Sequence, residues 1–199
     1  MIELVTRAED FLKARNAWDS APTALDTTVT LVAATSTAHA MKVLRAKINA
    51  VAGAPLETHI ENNAQIMAFV RRADLADISQ QGPATPQHAV HTKRVPMIDC
   101  NVDAYAAHYR AYLDLHLGKH ASALIDAAPR IALDPRLGLC AFGKTASDAR
   151  IAAEMYQHDI AVITRASAHS RYRSAPAAAV AQAEFEYGGY AAQAHRASS

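Results

Sequence analysis

The sequence predicts an α/β fold in which a small mixed or antiparallel sheet is flanked by several helices. Two observations predict this class. Several segments of the 199-residue chain repeat apolar residues at helical spacing. In addition, two apolar runs at 130–133 and 139–143 enclose a turn with Pro135 and Gly138, which is typical of a β-hairpin. A hairpin among amphipathic helices favours a layered domain around one core.

The helices are predicted from their apolar stripes and from the residues that end them. The segment 38–51 is an example, because it places Leu44 and Ile48 on one face and is followed by Gly53 and Pro55. The same reasoning predicts five helices, at residues 2–12, 38–51, 63–78, 102–117 and 145–167.

The remaining segments are predicted as strands or short turns. Residues 56–60 alternate weakly and predict a short strand, while the β-branched segment 27–31 predicts either a strand or the start of a helix. Pro86 opens a short helical segment that continues to Lys93, and an extended segment follows at 95–98.

Three regions are predicted along the chain. Residues 1–25 are expected to be a leftover helix and linker, because the first helix has no capping residue before it. Residues 26–175 are expected to form the α/β domain. Residues 176–199, which are rich in alanine and contain Gly188 and Gly189, are expected to form a weakly ordered tail. A truncated chain is therefore expected.

The bulk composition excludes several classes of function. The formal net charge is +1, which does not favour binding to nucleic acid or to an anionic membrane. Acidic residues stand near the N-terminus where a signal peptide would carry basic ones, so we expect a cytoplasmic protein. Cys100 and Cys140 have no motif spacing, and free thiols are favoured over a disulfide.

His88 and His91 are the candidate metal ligands. Their i, i+3 spacing would place both imidazoles on one helix face, where they could bind zinc. A catalytic zinc site typically needs three protein ligands, and the neighbouring sequence supplies no third. A polar surface or capping role is therefore the favoured interpretation of this pair.

Four residues are candidates for binding a phosphate or sugar phosphate. Lys93 and Arg94 could pair with the anion directly. Lys144 and Thr145 lie at the N-terminus of a predicted helix, whose free N–H groups favour negative charge. The alternative is that Thr145 only caps that helix, together with Asp148.

Short stretches spread over almost the whole chain resemble one protein family. They are residues 4–10, 82–86, 88, 92–93, 103–105, 133–135, 138–139, 142–146, 148, 172–174 and 186–187. In order and spacing they resemble the middle region of bacterial bifunctional aldolase/short-chain dehydrogenases. These proteins belong to the class II aldolase/adducin group and are of the rhamnulose-1-phosphate aldolase/lactaldehyde dehydrogenase type.

The resemblance implies a class II aldolase-like layered fold and, in the whole protein, a zinc ion held by histidines that include a His-x-His pair. No His-x-His occurs in this sequence, and none of its glycines forms a Gly-x-Gly-x-x-Gly turn. The resemblance therefore implies that the zinc ligands lie before Met1 and the dehydrogenase half beyond Ser199.

The predicted function is that of a non-catalytic accessory or interdomain fragment of an aldolase/dehydrogenase system of sugar degradation. It is expected to need no cofactor. One alternative is a small zinc-dependent class II aldolase that acts on a ketose phosphate through His88, His91 and a distant ligand. The other alternative is an oligomerisation or partner-binding module, in which a homo-oligomer would cover the apolar face of the first helix.

Overall fold

The computed structural model of the protein describes residues 2–16 and 34–190. The segment 27–31, predicted as a strand or helix start, lies outside these residues. None of the described helices is long and apolar enough to cross a membrane. In chain order the elements are α1 (Ile2–Lys13), α2 (Ala34–Ala52), β1 (Glu57–Glu61), α3 (Ala64–Val70), α4 (Leu75–Ser79), a 3-10 turn (Pro86–His88), α5 (Ala89–Thr92), α6 (Val102–Leu117), α7 (Lys119–Ser122), β2 (Ile131–Asp134), β3 (Gly138–Gly143), α8 (Ala146–His169) and α9 (Ala177–Tyr187).

The described strands form one antiparallel sheet in the order β1–β3–β2, which confirms the predicted fold class and the hairpin. Asp134 shapes the hairpin turn, because its Oδ1 accepts hydrogen bonds from the backbone N–H groups of Arg136 (2.7 Å) and Leu137 (3.1 Å). Gly138 has a φ of +92°, and a Cβ there would lie 2.3 Å from the carbonyl oxygen of Glu61. Glycine at this position lets β1 approach the turn.

Helices cover both faces of the sheet. Successive side chains of a strand point to opposite faces, so β3 directs Leu139 and Ala141 into one core and Cys140 and Phe142 into another. Helices α2 and α6 pack on the Phe142 face, while α3, α4 and α8 pack on the Leu139 face. The described domain therefore has three layers, with β2 and β3 fully buried between the helices.

The helix predicted at 63–78 is instead two short helices, α3 and α4. A turn separates them, and the side chain of Arg72 holds it in place. Its Nε and Nη2 each donate to one carboxylate oxygen of Asp74, both at 2.8 Å. Apolar periodicity continues through this turn, which explains why the pattern predicted one helix.

The alanine-rich stretch after Pro176, predicted as a weakly ordered tail, begins with a helix. Residues 177–187 form α9, which packs against the 3-10 turn, α5 and α6. Val180 and Glu184 of α9 are buried. The small alanine side chains allow close approach to the neighbouring helices, and Glu184 meets buried polar partners there. Residues 191–199 of the expected tail lie outside the described residues.

Both cysteines are free thiols, as predicted. Burial raises the pKa of the Cys140 thiol to about 12, and the nearby Asp134 carboxylate adds to this shift. The thiol is therefore protonated at neutral pH, and Cys140 packs in the core as a small apolar side chain.

Candidate functional site

The segment from Gly82 to Arg94 carries most of the predicted site residues, and its first residues are fixed by side chains from the C-terminal part of the domain. The backbone N–H of Ala84 donates to Asp159 Oδ1 at 2.8 Å. The hydroxyls of Tyr172 and Ser174 donate to the carbonyl oxygens of Gly82 (3.0 Å) and Pro83 (2.8 Å). Three side chains thus hold a loop that precedes the 3-10 turn.

His88 lies at the end of that 3-10 turn, and its ring is held by Asp159 of α8. Nδ1 of His88 lies 2.7 Å from Oδ1 of Asp159, which is fully buried, while the His88 side chain is 15% exposed. Burial raises the pKa of Asp159, although the hydrogen bonds from Ala84 and His88 act in the opposite direction. In a neutral imidazole this contact places the proton on Nδ1 and leaves Nε2 as an acceptor.

Lys93 is buried and belongs to a polar cluster inside the domain. Its Nζ donates to Glu184 Oε1 at 2.9 Å and to the carbonyl oxygen of Asp126 at 3.0 Å. Oε2 of Glu184 accepts a hydrogen bond from the hydroxyl of Tyr109. Lys93 also has a φ of +64°, a conformation that costs a non-glycine residue free energy. The buried ion pair therefore fixes α9 to the end of α5.

Arg94 turns away from this cluster and lines a cavity of about 180 Å³ beside α6. Its Nη2 donates to the carbonyl oxygen of Gln81 at 3.3 Å, and its guanidinium carbon lies 5.3 Å from the ring centre of Tyr112. The two adjacent basic residues thus belong to different environments.

Lys144 and Thr145 lie at the N-terminus of α8, where the predicted capping box is present. Thr145 Oγ1 accepts from the Asp148 N–H at 3.1 Å, and the Asp148 carboxylate accepts from the Thr145 N–H at 3.0 Å. A carboxylate therefore already lies at the positive end of the helix. Lys144 is exposed and lines a second cavity, of about 200 Å³, together with His91 and Arg130.

The structure brings together two of the predicted residues and separates the others. His91 and Lys144 line the same cavity, although they were predicted for different roles. Lys93 points to Glu184, and Arg94 lines the cavity beside α6. Their ligand and metal roles stay predictions.

Sequence reasoning missed the two carboxylates that hold the segment, Asp159 and Glu184. A signal for Asp159 was present, because it lies among apolar residues of the buried face of α8, next to Ile160. Glu184 lies in a stretch of alanines with little periodicity, so its burial follows only from the packing of α9.

The described residues do not fit a zinc centre. Asp159 orients the His88 ring as carboxylates orient metal-binding histidines. However, within residues 2–16 and 34–190, no three or more His, Cys, Asp or Glu side chains form a group that could hold a metal ion. A catalytic zinc needs about three such protein ligands.

Comparison with known proteins places this domain in a family. A relative named "Uncharacterized oxidoreductase YuxG", from Bacillus subtilis (strain 168), is 28% identical over 131 residues. The match covers 57% of this chain and 19% of the relative, so the chain corresponds to a small part of that protein. No solved structure gives a significant match. The family model described as "Aldolase class II, second domain" matches residues 35–188, and the chain therefore belongs to the aldolase class II second-domain family.

Proposed function

We propose that this chain is a non-catalytic accessory or interdomain part of a larger protein related to the bifunctional aldolase/short-chain dehydrogenases of sugar degradation. Its family is a second domain of class II aldolases, and its relative from Bacillus subtilis is named an oxidoreductase. The match to only 19% of that relative supports a domain that works beside others in one chain.

The observation that carries this proposal is that three of the six candidate side chains, those of His88, Lys93 and Thr145, are held by contacts within the domain. His88 is held by Asp159, which lies on α8, and Lys93 is held by Glu184, which lies on α9. Thr145 caps α8. Polar atoms that take part in such contacts stabilise the domain and are not free to bind a substrate.

One observation favours the alternative of a small zinc-dependent aldolase. The contact between Asp159 and Nδ1 of His88 leaves Nε2 of the ring available to a metal ion. The experiment that separates the two functions is an aldol-cleavage assay of the purified chain with a ketose phosphate and added zinc, together with a zinc titration of its thermal stability.

The accessory role predicts no cleavage above the protein-free rate and no zinc-dependent rise in melting temperature. Zinc-dependent cleavage that is lost in His88→Gln would overturn it. His120→Gln is the matched control, because His120 lies on the exposed surface of α7. That variant should behave like the unchanged protein in both measurements.

The exposure of α1 favours a second candidate function, an oligomerisation or partner-binding module. Every residue of α1 is exposed, including apolar Ile2, Leu4 and Phe11. Apolar side chains grouped on one helix are a common feature of surfaces that bind another protein. Light scattering over a range of protein concentrations tests this function, since a strict monomer would exclude self-association.

A further inference from the structure

A cavity of about 180 Å³ lies between α6 and the residues Gln80, Arg94 and Val95. Three tyrosines of α6, spaced as on one helix face, supply much of its wall. An arginine, a glutamine, a histidine and Val95 complete it. The side chains used in the following steps are Gln80, Arg94, Tyr105, His108, Tyr109 and Tyr112.

The guanidinium of Arg94 has no carboxylate within salt-bridge distance among the described residues. None of the salt bridges among them involves Arg94. Its Nε is shielded from solvent and donates to no described acceptor, and its Nη2 makes only a long bond to Gln81. A half-buried cation without a carboxylate partner favours an anion nearby.

Three tyrosine rings line the cavity, and their hydroxyls bond to other groups. Tyr112 is partly exposed, whereas Tyr105 and Tyr109 are buried. Tyr105 donates to the Val95 carbonyl, Tyr112 to the Ala177 carbonyl, and Tyr109 to Glu184. The rings of Tyr105 and Tyr109 are nearly parallel, with centres 5.9 Å apart. These two rings pack against each other, so Tyr112 supplies the ring that a flat apolar group can reach.

We propose that this cavity, the Arg94 pocket, binds a small organic carboxylate. The carboxylate pairs with Arg94, and the flat or apolar carbon part lies against the partly exposed ring of Tyr112. The ligand is small, because drug-sized molecules occupy pockets of roughly 300–1,000 Å³. A carboxylate suits this site, because its oxygens can accept hydrogen bonds from the guanidinium. The site is independent of the accessory role, since binding here needs no catalysis.

The test is a titration of the purified chain with benzoate, followed by amide chemical shifts in NMR spectra. We expect saturable binding, with a dissociation constant on the order of 1 mM or tighter, as for other ligands of this size. The shifts should concentrate at residues 94–95 and 105–112. Arg94→Met, which keeps the length of the side chain, should weaken binding at least about tenfold, because it removes the charge-assisted contact. Arg150→Met is the matched control, since Arg150 is exposed on α8, and it should leave binding unchanged.

Several results would overturn the proposal. They are an absence of saturable benzoate binding, binding that survives Arg94→Met, shifts centred elsewhere, or equal binding of neutral benzyl alcohol. Equal binding of inorganic phosphate would show that the tyrosine rings contribute nothing and would overturn the carboxylate class. If Arg94→Met does not fold by circular dichroism, Arg94→Lys replaces it. That variant keeps the charge without the fork and should weaken binding several-fold.

Discussion

The two end helices of the described chain have opposite relations between sequence pattern and burial. Helix α1 has a clear apolar stripe, yet all of its residues are exposed, with Leu4 at 68% and Val5 at 55%. Helix α9 is rich in alanine and has little periodicity, yet Val180 is 0% exposed and Glu184 1%. An apolar stripe therefore shows that a helix can be buried, whereas burial itself depends on the surface that receives it.

Helix α9 has such a surface, and it includes polar groups. It packs against the 3-10 turn, α5 and α6, where Lys93 and Tyr109 bind Glu184. A buried carboxylate is stable only when its charge and hydrogen bonds are satisfied. These contacts offset that cost and fix the position of α9. The predictions below test this difference between the two helices.

The largest effect is expected from Glu184→Ala on α9. The change leaves Lys93 as a buried cation without a partner, and it removes the acceptor of the Tyr109 hydroxyl. We expect the free energy of unfolding to fall by about 3–5 kcal/mol, as when one partner of a buried pair is removed. Urea denaturation followed by circular dichroism measures this fall in the free energy of unfolding.

Glu186→Ala is the matched control for that change, because Glu186 is exposed on the same helix. It should alter the unfolding free energy by less than about 0.5 kcal/mol. A double variant, Lys93→Met with Glu184→Met, should recover part of the loss because no charge is left unpaired. Equal losses for Glu184→Ala and Glu186→Ala would show that the ion pair does not fix α9.

The second prediction compares one valine on each helix. Val180→Ala removes two buried methyl groups from α9, so we expect a loss of about 2 kcal/mol from transfer and cavity terms together. Val5→Ala on α1 should change stability by less than about 0.5 kcal/mol. Thermal and urea unfolding of both variants measure the difference. Similar losses at the two positions would show that α1 is covered in solution.

The fold was predictable to the extent that it depends on local chemistry. The hairpin turn at Asp134 and the cap at Thr145 involve residues within three positions of each other, and both were predicted. The break between α3 and α4 near Arg72 and the burial of α9 were not predicted. The break depends on one side-chain pair inside an otherwise regular pattern, and the burial depends on residues far away in sequence.

The candidate site was predictable in its residues more than in their partners. His88, Lys93 and Arg94 were singled out, and each has a specific environment in the structure. The carboxylates that hold His88 and Lys93 lie 71 and 91 positions further along the chain. No local spacing rule connects groups at such separations, so a single sequence could not show that these side chains are tied within the domain.

The third prediction concerns the pH dependence of stability and the charges around Lys93, whose ion pair with Glu184 holds α9. Burial raises the pKa of Asp126, but Lys93 and Arg130 outweigh it and hold the pKa below its usual value. Because the pKa of Asp126 is lower in the folded state, its ionised carboxylate stabilises the protein at pH values above the usual Asp pKa of about 3.9. This stabilisation is lost as the pH falls toward the lowered pKa of the folded state. Asp126→Asn should therefore cost about 1–2 kcal/mol at neutral pH and less near pH 3.

Urea unfolding at the two pH values measures this dependence. Glu3→Gln on α1 is the control, because Glu3 is exposed. It should leave stability nearly unchanged at both pH values. If the cost of Asp126→Asn were the same at both values, the carboxylate would not compensate the charges of Lys93 and Arg130.

The smallest effect is expected from Leu4→Ser on α1, and it decides whether this helix truly lacks a partner. If α1 is exposed in solution, the change removes no buried surface and alters stability by less than about 0.5 kcal/mol. If α1 is covered by a second copy of the chain, the unchanged protein is a dimer by light scattering, and its melting temperature rises with concentration. Leu4→Ser would then shift the protein toward the monomer, while Lys13→Ser, at the exposed end of the same helix, would not. The first result means that α1 is exposed while α9 is buried. The second means that both helices are buried, α9 by its own domain and α1 by a neighbouring chain.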